Sequence, residues 1–225
     1  MLRLVPFESG APAARVCKCE GVKSVCVFCG SNLGSRPEYE RAVRELATAL
    51  VEVGIVIVYG GARVGAMGLL ADTALEAGGR VIGVIPEFLV DAEIAHTELT
   101  RLHVVASMHE RKAMMAELSD GFVALPGGLG TLEEVAEMLT WSQLGLHTKP
   151  VGFLNVAGYY DLLLEFLDHG VTEGFLRAEN RQLILSATGA TELLGLLRTW
   201  TPPVVAVRKW IDTPANPAAT PESLG

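Results

Sequence analysis

Residues 121–134 read Gly-Phe-Val-Ala-Leu-Pro-Gly-Gly-Leu-Gly-Thr-Leu-Glu-Glu. This order predicts a short buried strand over 121–125, then a glycine loop, then a helix capped by Thr131, with Glu134 completing a capping box. Such loops expose consecutive backbone N–H groups at the positive end of a helix and therefore bind anions. The stretch predicts a phosphate site with a carboxylate one turn away, an arrangement that suits catalysis as well as binding.

The alternation of apolar runs and amphipathic segments continues along the chain. Strands are predicted over 22–29, 55–59, 80–85, 101–105, 121–125 and 151–154. Helices are predicted over 35–53 with Ser35 as the cap, after Gly68, and over 108–118, 131–144, 159–169 and 191–199, whereas 87–100 is predicted to be irregular. This order predicts an α/β fold, a single-domain Rossmann-like doubly wound parallel sheet with helices on both faces.

Bulk composition fits one sheet that is buried on both faces. The chain has 225 residues, of which 50% are hydrophobic, and its mean hydropathy is +0.35. We predict a nucleotide-binding catalytic domain over 22–200, with a flexible leader (1–21) before it and a tail (201–225) after it. No apolar run approaches the roughly 18 residues of a membrane helix, and the N-terminal residues lack a signal peptide's apolar core. A cytoplasmic protein without membrane contact is expected.

The net charge argues against a nucleic-acid-binding surface, and the placement of two cysteines in one strand argues against a zinc site. The formal net charge of −8 disfavours a nucleic-acid-binding surface. The four cysteines, Cys17, Cys19, Cys26 and Cys29, have a spacing that resembles a zinc site. Cys26 and Cys29, however, lie three residues apart in a predicted strand and so face opposite sides of it. We predict no metal and no organic cofactor, and expect buried, unreactive thiols.

Three glycine-rich loops, 30–34, 60–68 and 126–130, follow predicted strands. Because ligands of parallel sheets bind beyond the carboxyl ends of the strands, we expect these loops to meet at one edge. The first strand is not followed by the dinucleotide pattern Gly-x-Gly-x-x-Gly, and the sequence contains no Gly-Lys-Ser or Gly-Lys-Thr of a Walker loop. A mononucleotide that carries a phosphate is the favoured ligand.

Glu134 lies on an apolar face of its predicted helix. Met138 and Trp141 follow it at i+4 and i+7, whereas Glu133 and Glu137 fall on the solvated face. A capping-box role would by itself explain Glu134. Its stripe of large apolar neighbours, close to the glycine amides, makes it a candidate site residue as well.

Arg111 shows the same anomaly in the preceding helix. Met108 lies three residues before it and Met115 four residues after it, which places the guanidinium on an inward face. An inward arginine needs an anion, either the partner of a structural ion pair or part of a substrate. The adjacent Lys112 faces a more polar side and is either a surface lysine or a helper in binding.

Two segments resemble a known family: Met108-His109-Glu110-Arg111-Lys112, and the loop and helix start from Pro126 to Glu134. Together with Gly30-Ser31, Gly60-Gly61 and residues 139–145, they resemble the Lonely Guy family. Its members are cytokinin riboside 5′-monophosphate phosphoribohydrolases, long labelled lysine decarboxylases. The resemblance spans about residues 22–199.

The resemblance implies hydrolysis of the N-glycosidic bond of a nucleoside 5′-monophosphate, a cytokinin riboside 5′-monophosphate or AMP, to free base and ribose 5-phosphate. It implies Arg111 and Glu134 as the catalytic pair. It also implies a set of substrate- and phosphate-binding residues: Gly127, Gly128, Gly130, Thr131, Glu133, Lys112, Glu93, Ser31, Gly60 and Gly61. A homodimer is expected from the resemblance and from the high hydrophobic content.

Two other functions compete with hydrolysis. Related Rossmann-like proteins bind molybdenum cofactor, so a non-enzymatic nucleotide or molybdenum-cofactor carrier is the main alternative. A carrier needs the glycine loops but does not need both Arg111 and Glu134 on inward faces. A pyridoxal-phosphate decarboxylase fits less well, because the chain is small and no lysine has a recognisable Schiff-base setting.

Overall fold

The computed structural model describes residues 21–91 and 94–203. The strands are β1 (Ser24–Phe28), β2 (Val56–Tyr59), β3 (Val81–Pro86), β4 (Arg101–Val105), β5 (Gly121–Ala124), β6 (Val151–Leu154) and β7 (Ile184–Ala187). The helices are α1 (Pro37–Glu52), α2 (Gly65–Glu76), α3 (Glu87–Asp91), α4 (Met108–Glu117), α5 (Leu129–Gln143), α6 (Asp161–Thr172), α7 (Ala178–Arg181) and α8 (Ala190–Thr199). The predicted leader and tail lie outside the described residues, apart from residues 21 and 201–203.

The strands form one seven-stranded sheet in the order β4-β3-β2-β1-β5-β6-β7, and every pairing is parallel. The chain therefore winds outward from β1 in one direction and then from β5 in the other, which confirms the predicted doubly wound fold. The carboxyl ends of these two strands lie side by side, with Phe28 paired to Ala124. Ligands of such sheets bind at this reversal of strand order.

Helices cover both faces of the sheet and bury two apolar clusters. Leu46 of α1, Leu70 of α2 and Leu193 of α8 pack on one face. Met115 of α4 and Met138 of α5 pack on the other. The short β-branched strands are thus buried on both sides, as expected for a parallel sheet.

The cysteines of β1 follow the predicted geometry. Cys26 belongs to the cluster under α4 and α5, whereas Cys29 belongs to the cluster under α1 and α2. Burial raises the pKa of both thiols well above the ordinary value, so both remain protonated and unreactive near neutral pH. Cys17 and Cys19 lie outside the described residues.

Several predicted element boundaries were wrong. Helix α1 is capped by Arg36 without a side-chain hydrogen bond, so Ser35 does not cap it. Helix α2 begins at Gly65, before Gly68, and α6 begins at Asp161 rather than at 159. Part of 87–100 forms α3, and β7 and α7 were not predicted. These missed elements have only four or five residues each, too few to show a hydrophobic period.

None of the helices in the described part of the chain combines the length and apolar character needed to cross a bilayer.

Candidate active site

The three glycine loops meet at the carboxyl edge of the sheet, as predicted. A Cβ placed on Gly30 would lie 3.3 Å from the Cα of Gly127, so the loops after β1 and β5 touch. A Cβ placed on Gly65 would lie 2.2 Å from the carbonyl oxygen of Ser31, so the loop after β2 backs onto the first loop. Glycine permits both approaches: a Cβ at position 65 would collide with the backbone of Ser31, and one at position 30 would pack tightly against Asn32 and Gly127.

The loop after β5 ends in the amino terminus of α5. Gly128 is the N-cap, and the helix makes no side-chain capping bond, so the predicted capping box of Thr131 and Glu134 is wrong. Thr131 is buried instead, with its Oγ1 2.1 Å from where a Cβ of Gly127 would stand. The first N–H groups of a helix have no partner within it. A Cβ on Gly128 or Gly130 would meet nothing within 4 Å, so this helix end is open to a ligand.

Arg111 is buried and fully engaged. Ser107 caps α4 by accepting a hydrogen bond from the Glu110 amide, which sets the start of the helix. The Arg111 Nε donates to the carbonyl of Val84 (3.1 Å), within β3, and Nη2 donates to the carbonyl of Gly60 (3.2 Å), after β2. The sheet therefore fixes the guanidinium through backbone acceptors.

Glu134 completes this set of contacts. Its Oε1 accepts from Nη1 of Arg111 at 3.0 Å, and the two side chains are only 10% and 9% exposed. The inward placement that the sequence predicted for both residues is confirmed, and they are in direct contact. Desolvation by burial raises the pKa of Glu134 above its ordinary value, and the Arg111 charge opposes that rise.

Lys112 departs from its prediction. It was expected on a more polar side, but its side chain is only 7% exposed, donates to Glu133 and forms an ion pair with Glu137 at 3.1 Å. Burial alone would lower the pKa of Lys112, but the two carboxylates outweigh that effect and raise it. Glu133 is half exposed, whereas Glu137 is three-quarters buried at 25% exposure, so only Glu133 fits the predicted solvated face.

The loop after β2 is held by a segment that follows α3. The Gly61 carbonyl accepts from the His96 amide, and Arg63 donates its amide to Ile94. His96 itself is fully buried: its Nδ1 accepts from a backbone amide at residue 98, which leaves Nε2 to donate to Asp72 at 2.9 Å. The bond between the His96 amide and the Gly61 carbonyl holds the loop whose first glycine, Gly60, accepts from Arg111.

The remaining predicted site residues lie in different surroundings. Ser31 is exposed and lines the cleft between the first and third loops. Gly61 has a φ of +76° and packs against Ile85, so its place in the structure is that of a turn residue and not of a residue open to substrate. Glu93 lies outside the described residues.

Known proteins identify the family of this chain. The family model described as "Possible lysine decarboxylase" matches residues 67–197. A probable cytokinin riboside 5′-monophosphate phosphoribohydrolase of Oryza sativa subsp. japonica is 51% identical over 195 residues, covering 86% of this chain and 87% of that protein. A cytokinin riboside 5′-monophosphate phosphoribohydrolase of Arabidopsis thaliana is 50% identical over 180 residues, covering 80% and 84%. The chain belongs to the Lonely Guy family.

Solved structures agree with the fold of this Lonely Guy protein. A molybdenum cofactor binding protein from Rippkaea orientalis matches with a TM-score of 0.59 and 22% identity, covering 78% of this chain and 95% of that one. The molybdenum cofactor carrier protein of Chlamydomonas reinhardtii matches with a TM-score of 0.58 and 24% identity, covering 76% and 93%. At this level of identity the likeness shows the fold alone.

Sequence reasoning missed two tyrosines at the site of this Lonely Guy protein, Tyr39 and Tyr159. A cleft of about 260 Å³ opens between loops 30–34 and 126–128, and the rings of Tyr39 and Tyr159 form one wall of it. Tyr159 also donates its hydroxyl to the carbonyl of Gly127. It was predicted to be the first residue of the helix over 159–169. The usable signal was the Asn155-to-Gly158 turn directly after a strand, since parallel strands end at this edge.

Proposed function

We propose that this Lonely Guy protein hydrolyses the N-glycosidic bond of a nucleoside 5′-monophosphate to free base and ribose 5-phosphate. The observation that carries the proposal is the buried Arg111–Glu134 pair beside the open amino terminus of α5. Relatives that are 50–51% identical over most of the chain are named for this reaction. A cytokinin riboside 5′-monophosphate and AMP both belong to the proposed substrate class.

The phosphate would bind where backbone amides are free to donate. The amino terminus of α5 carries a partial positive charge and unpaired N–H groups, which suit a dianionic phosphate. The proposed contacts come from the glycine loop and the first turn of α5: Gly127, Gly128, Gly130 and Thr131. Ser31 in the adjoining loop is a further proposed contact, and Glu93 stays a prediction.

Glu134 would act at the sugar. In the reaction the C1′–N bond breaks, its electron pair leaves with the base, and a water oxygen bonds to C1′ while the base takes up a proton. Positive charge develops on the ribose ring, and a carboxylate one turn from the phosphate site can stabilise it or orient the water. Arg111 would hold Glu134 in place, and well-placed groups of this kind contribute about 10²–10⁴-fold in rate.

A second group of charged residues would stabilise the position of the catalytic pair: Lys112, Glu133 and Glu137. Lys112 and Glu133 each adjoin a member of that pair in sequence, so their ion pair links α4 to α5 next to the Arg111–Glu134 contact. Glu137 forms an ion pair with the same ammonium group. We propose that Lys112 and Glu133 set the spacing between the two helices, with substrate contact as their second role.

A carrier function has less support. The molybdenum-cofactor proteins share the fold at 22–24% identity, whereas the phosphoribohydrolases are about twice as similar in sequence. Binding alone does not require burial of an arginine and a glutamate together. A carrier would bind AMP and return it unchanged.

The test is release of free base from AMP and from isopentenyl-AMP by the purified chain, followed by chromatography. Glu134→Gln keeps the size of the side chain but removes its charge, and we expect kcat to fall at least about 10²-fold. Glu173→Gln, at an exposed carboxylate after α6, is the matched control and should match the unmodified protein. Base release by Glu134→Gln at a near-normal rate would contradict the proposed role of Glu134.

We also propose a homodimer in the cytoplasm. Helix α6 is rich in apolar residues but none of them is fully buried, and Leu162 and Phe166 are 79% and 66% exposed on it. Exposed apolar surface of this kind is typical of interfaces between protein chains, which supports the proposal. Light scattering should report a mass near twice the 24.0 kDa of one chain, and a mass near one chain would contradict the dimer.

A further inference from the structure

Two adjacent tyrosines hold the strand and loop that lead into α5. The hydroxyl of Tyr160 donates to the carbonyl of Leu125 at 2.7 Å, at the end of β5. The hydroxyl of Tyr159 donates to the carbonyl of Gly127 at 2.5 Å. Tyr160 is buried, whereas Tyr159 is 43% exposed and lines the cleft. Only Tyr159 therefore lies where a substrate can come close to it.

The turn that carries these tyrosines is held by side-chain hydrogen bonds. Asn155 accepts a hydrogen bond from the Tyr160 amide at 2.8 Å and donates to Asp161 at 2.6 Å. Ala157 has a φ of +50°, and no other non-glycine residue in the described ranges has a positive φ. Such a conformation persists only where the surrounding contacts over-determine it, often at functional sites. Tyr159 is thus presented in a fixed position, with its ring 5.7 Å from that of Tyr39 in an edge contact.

The contact to Gly127 sets the direction of one loop amide. In a planar trans peptide the carbonyl and the next N–H point in opposite directions, so the Gly128 N–H points away from the Tyr159 hydroxyl. A peptide between two glycines turns over easily, because neither residue has a Cβ. If it turned over, this peptide would present a carbonyl oxygen where it now presents an N–H.

We propose that Tyr159 is a positioning residue for phosphate recognition: its hydroxyl holds the Gly127–Gly128 peptide so that the N–H, and not the carbonyl, faces the anion. The proposal rests on the proposed function, which assigns the phosphate to this loop. Tyr159 acts on the loop and not on the sugar. Its contribution therefore belongs to binding of the phosphorylated part of the substrate, and bond cleavage depends on it only through that binding.

The test compares Tyr159→Phe with the unmodified protein. The variant keeps the ring in the cleft and removes only the hydroxyl that donates to Gly127. One neutral hydrogen bond corresponds to about a fivefold change in affinity. We expect KM for AMP to rise about fivefold with kcat within about twofold, and the inhibition constant of ribose 5-phosphate to rise equally, whereas that of free adenine stays unchanged.

Tyr39→Phe is the matched control, because it removes a hydroxyl from the other ring of the same wall and leaves the Gly127 contact intact. We expect a clearly smaller rise in KM than for Tyr159→Phe. Equal rises in both variants would overturn the proposal, since they would reflect only the polarity of the cleft. A fall in kcat without a change in KM would overturn it too.

A second measurement separates this proposal from the proposed function. Calorimetric titration with ribose 5-phosphate needs no turnover, and circular dichroism shows whether each variant is folded. Tighter binding to the unmodified protein than to folded Tyr159→Phe supports the proposal, even if the protein releases no base from AMP. Equal binding to both, or binding to neither, overturns it, even if hydrolysis of AMP is established.

Discussion

Replacing Gly60 by alanine should displace the Arg111 guanidinium without removing any charged group. A Cβ on Gly60 would stand 1.9 Å from Nη2 of Arg111 and 3.3 Å from Sδ of Met67. Ordinary contact begins near 3.4 Å, so Nη2 would have to retreat by about 1.5 Å. The retreat would break the bond to the Gly60 carbonyl and pull on the bond to Glu134. Overpacking of this kind costs about 1–3 kcal/mol of stability.

The activity should fall together with the stability. A misplacement of about 1 Å in a catalytic group can cost about 10²-fold in rate, so we expect kcat for base release from AMP to drop about 10²-fold in Gly60→Ala. Gly195→Ala is the control, because a Cβ there meets nothing within 4 Å and the residue lies inside α8. That variant should keep full activity and gain about 0.5–1 kcal/mol. Folded Gly60→Ala with more than a tenth of normal activity would refute the assigned role of Arg111.

Two further predictions concern the pKa of Glu134 and the burial of His96. Glu133 raises the pKa of Glu134, so that pKa should fall in Glu133→Gln, and the pH below which kcat declines because Glu134 is protonated should be lower. If pH-rate measurements show that this pH rises or stays the same, Glu134 is excluded as the titrating group. His96→Ala removes a fully buried ring and its bond to Asp72, so urea denaturation should show that the free energy of unfolding falls by about 2–4 kcal/mol. The control, His169→Ala, alters a side chain that is 65% exposed and should change the free energy of unfolding by less than about 0.5 kcal/mol. Equal effects would contradict the structural role of His96.

The sequence alone predicted those features that depend on local pattern and on general rules of sheet topology. The buried runs of β2 and β5 and the glycines after them predicted parallel strands with loops at one edge, and the structure has both. The inward face of Arg111 also followed from pattern, since the apolar neighbours Met108 and Met115 share its side of α4. Neither prediction needed knowledge of which helices pack together.

Features that depend on contacts between distant elements were not predictable in the same way. The Thr-x-x-Glu pattern at 131–134 fits a capping box, but the chain enters the helix three residues earlier, and Thr131 packs against Gly127 instead. Lys112 was predicted to be solvated because it faces a more polar side of its own helix. Its carboxylates, Glu133 and Glu137, come from α5, and the register of α5 against α4 is not encoded in either helix alone.

The hydrogen bonds that hold Arg111 affect how Glu134 can contact a substrate. Two of the three strong acceptors of the guanidinium are backbone carbonyls, those of Val84 and Gly60, and they belong to the sheet and its loop. Arg111 therefore does not depend on Glu134 for its position, whereas Glu134 depends on Arg111 to offset the cost of its burial. A ribose hydroxyl or a water can then share the carboxylate of Glu134 while the arginine stays in place. This asymmetry explains why Gly60, which never contacts the carboxylate, is the position where a single methyl group should disturb the pair most.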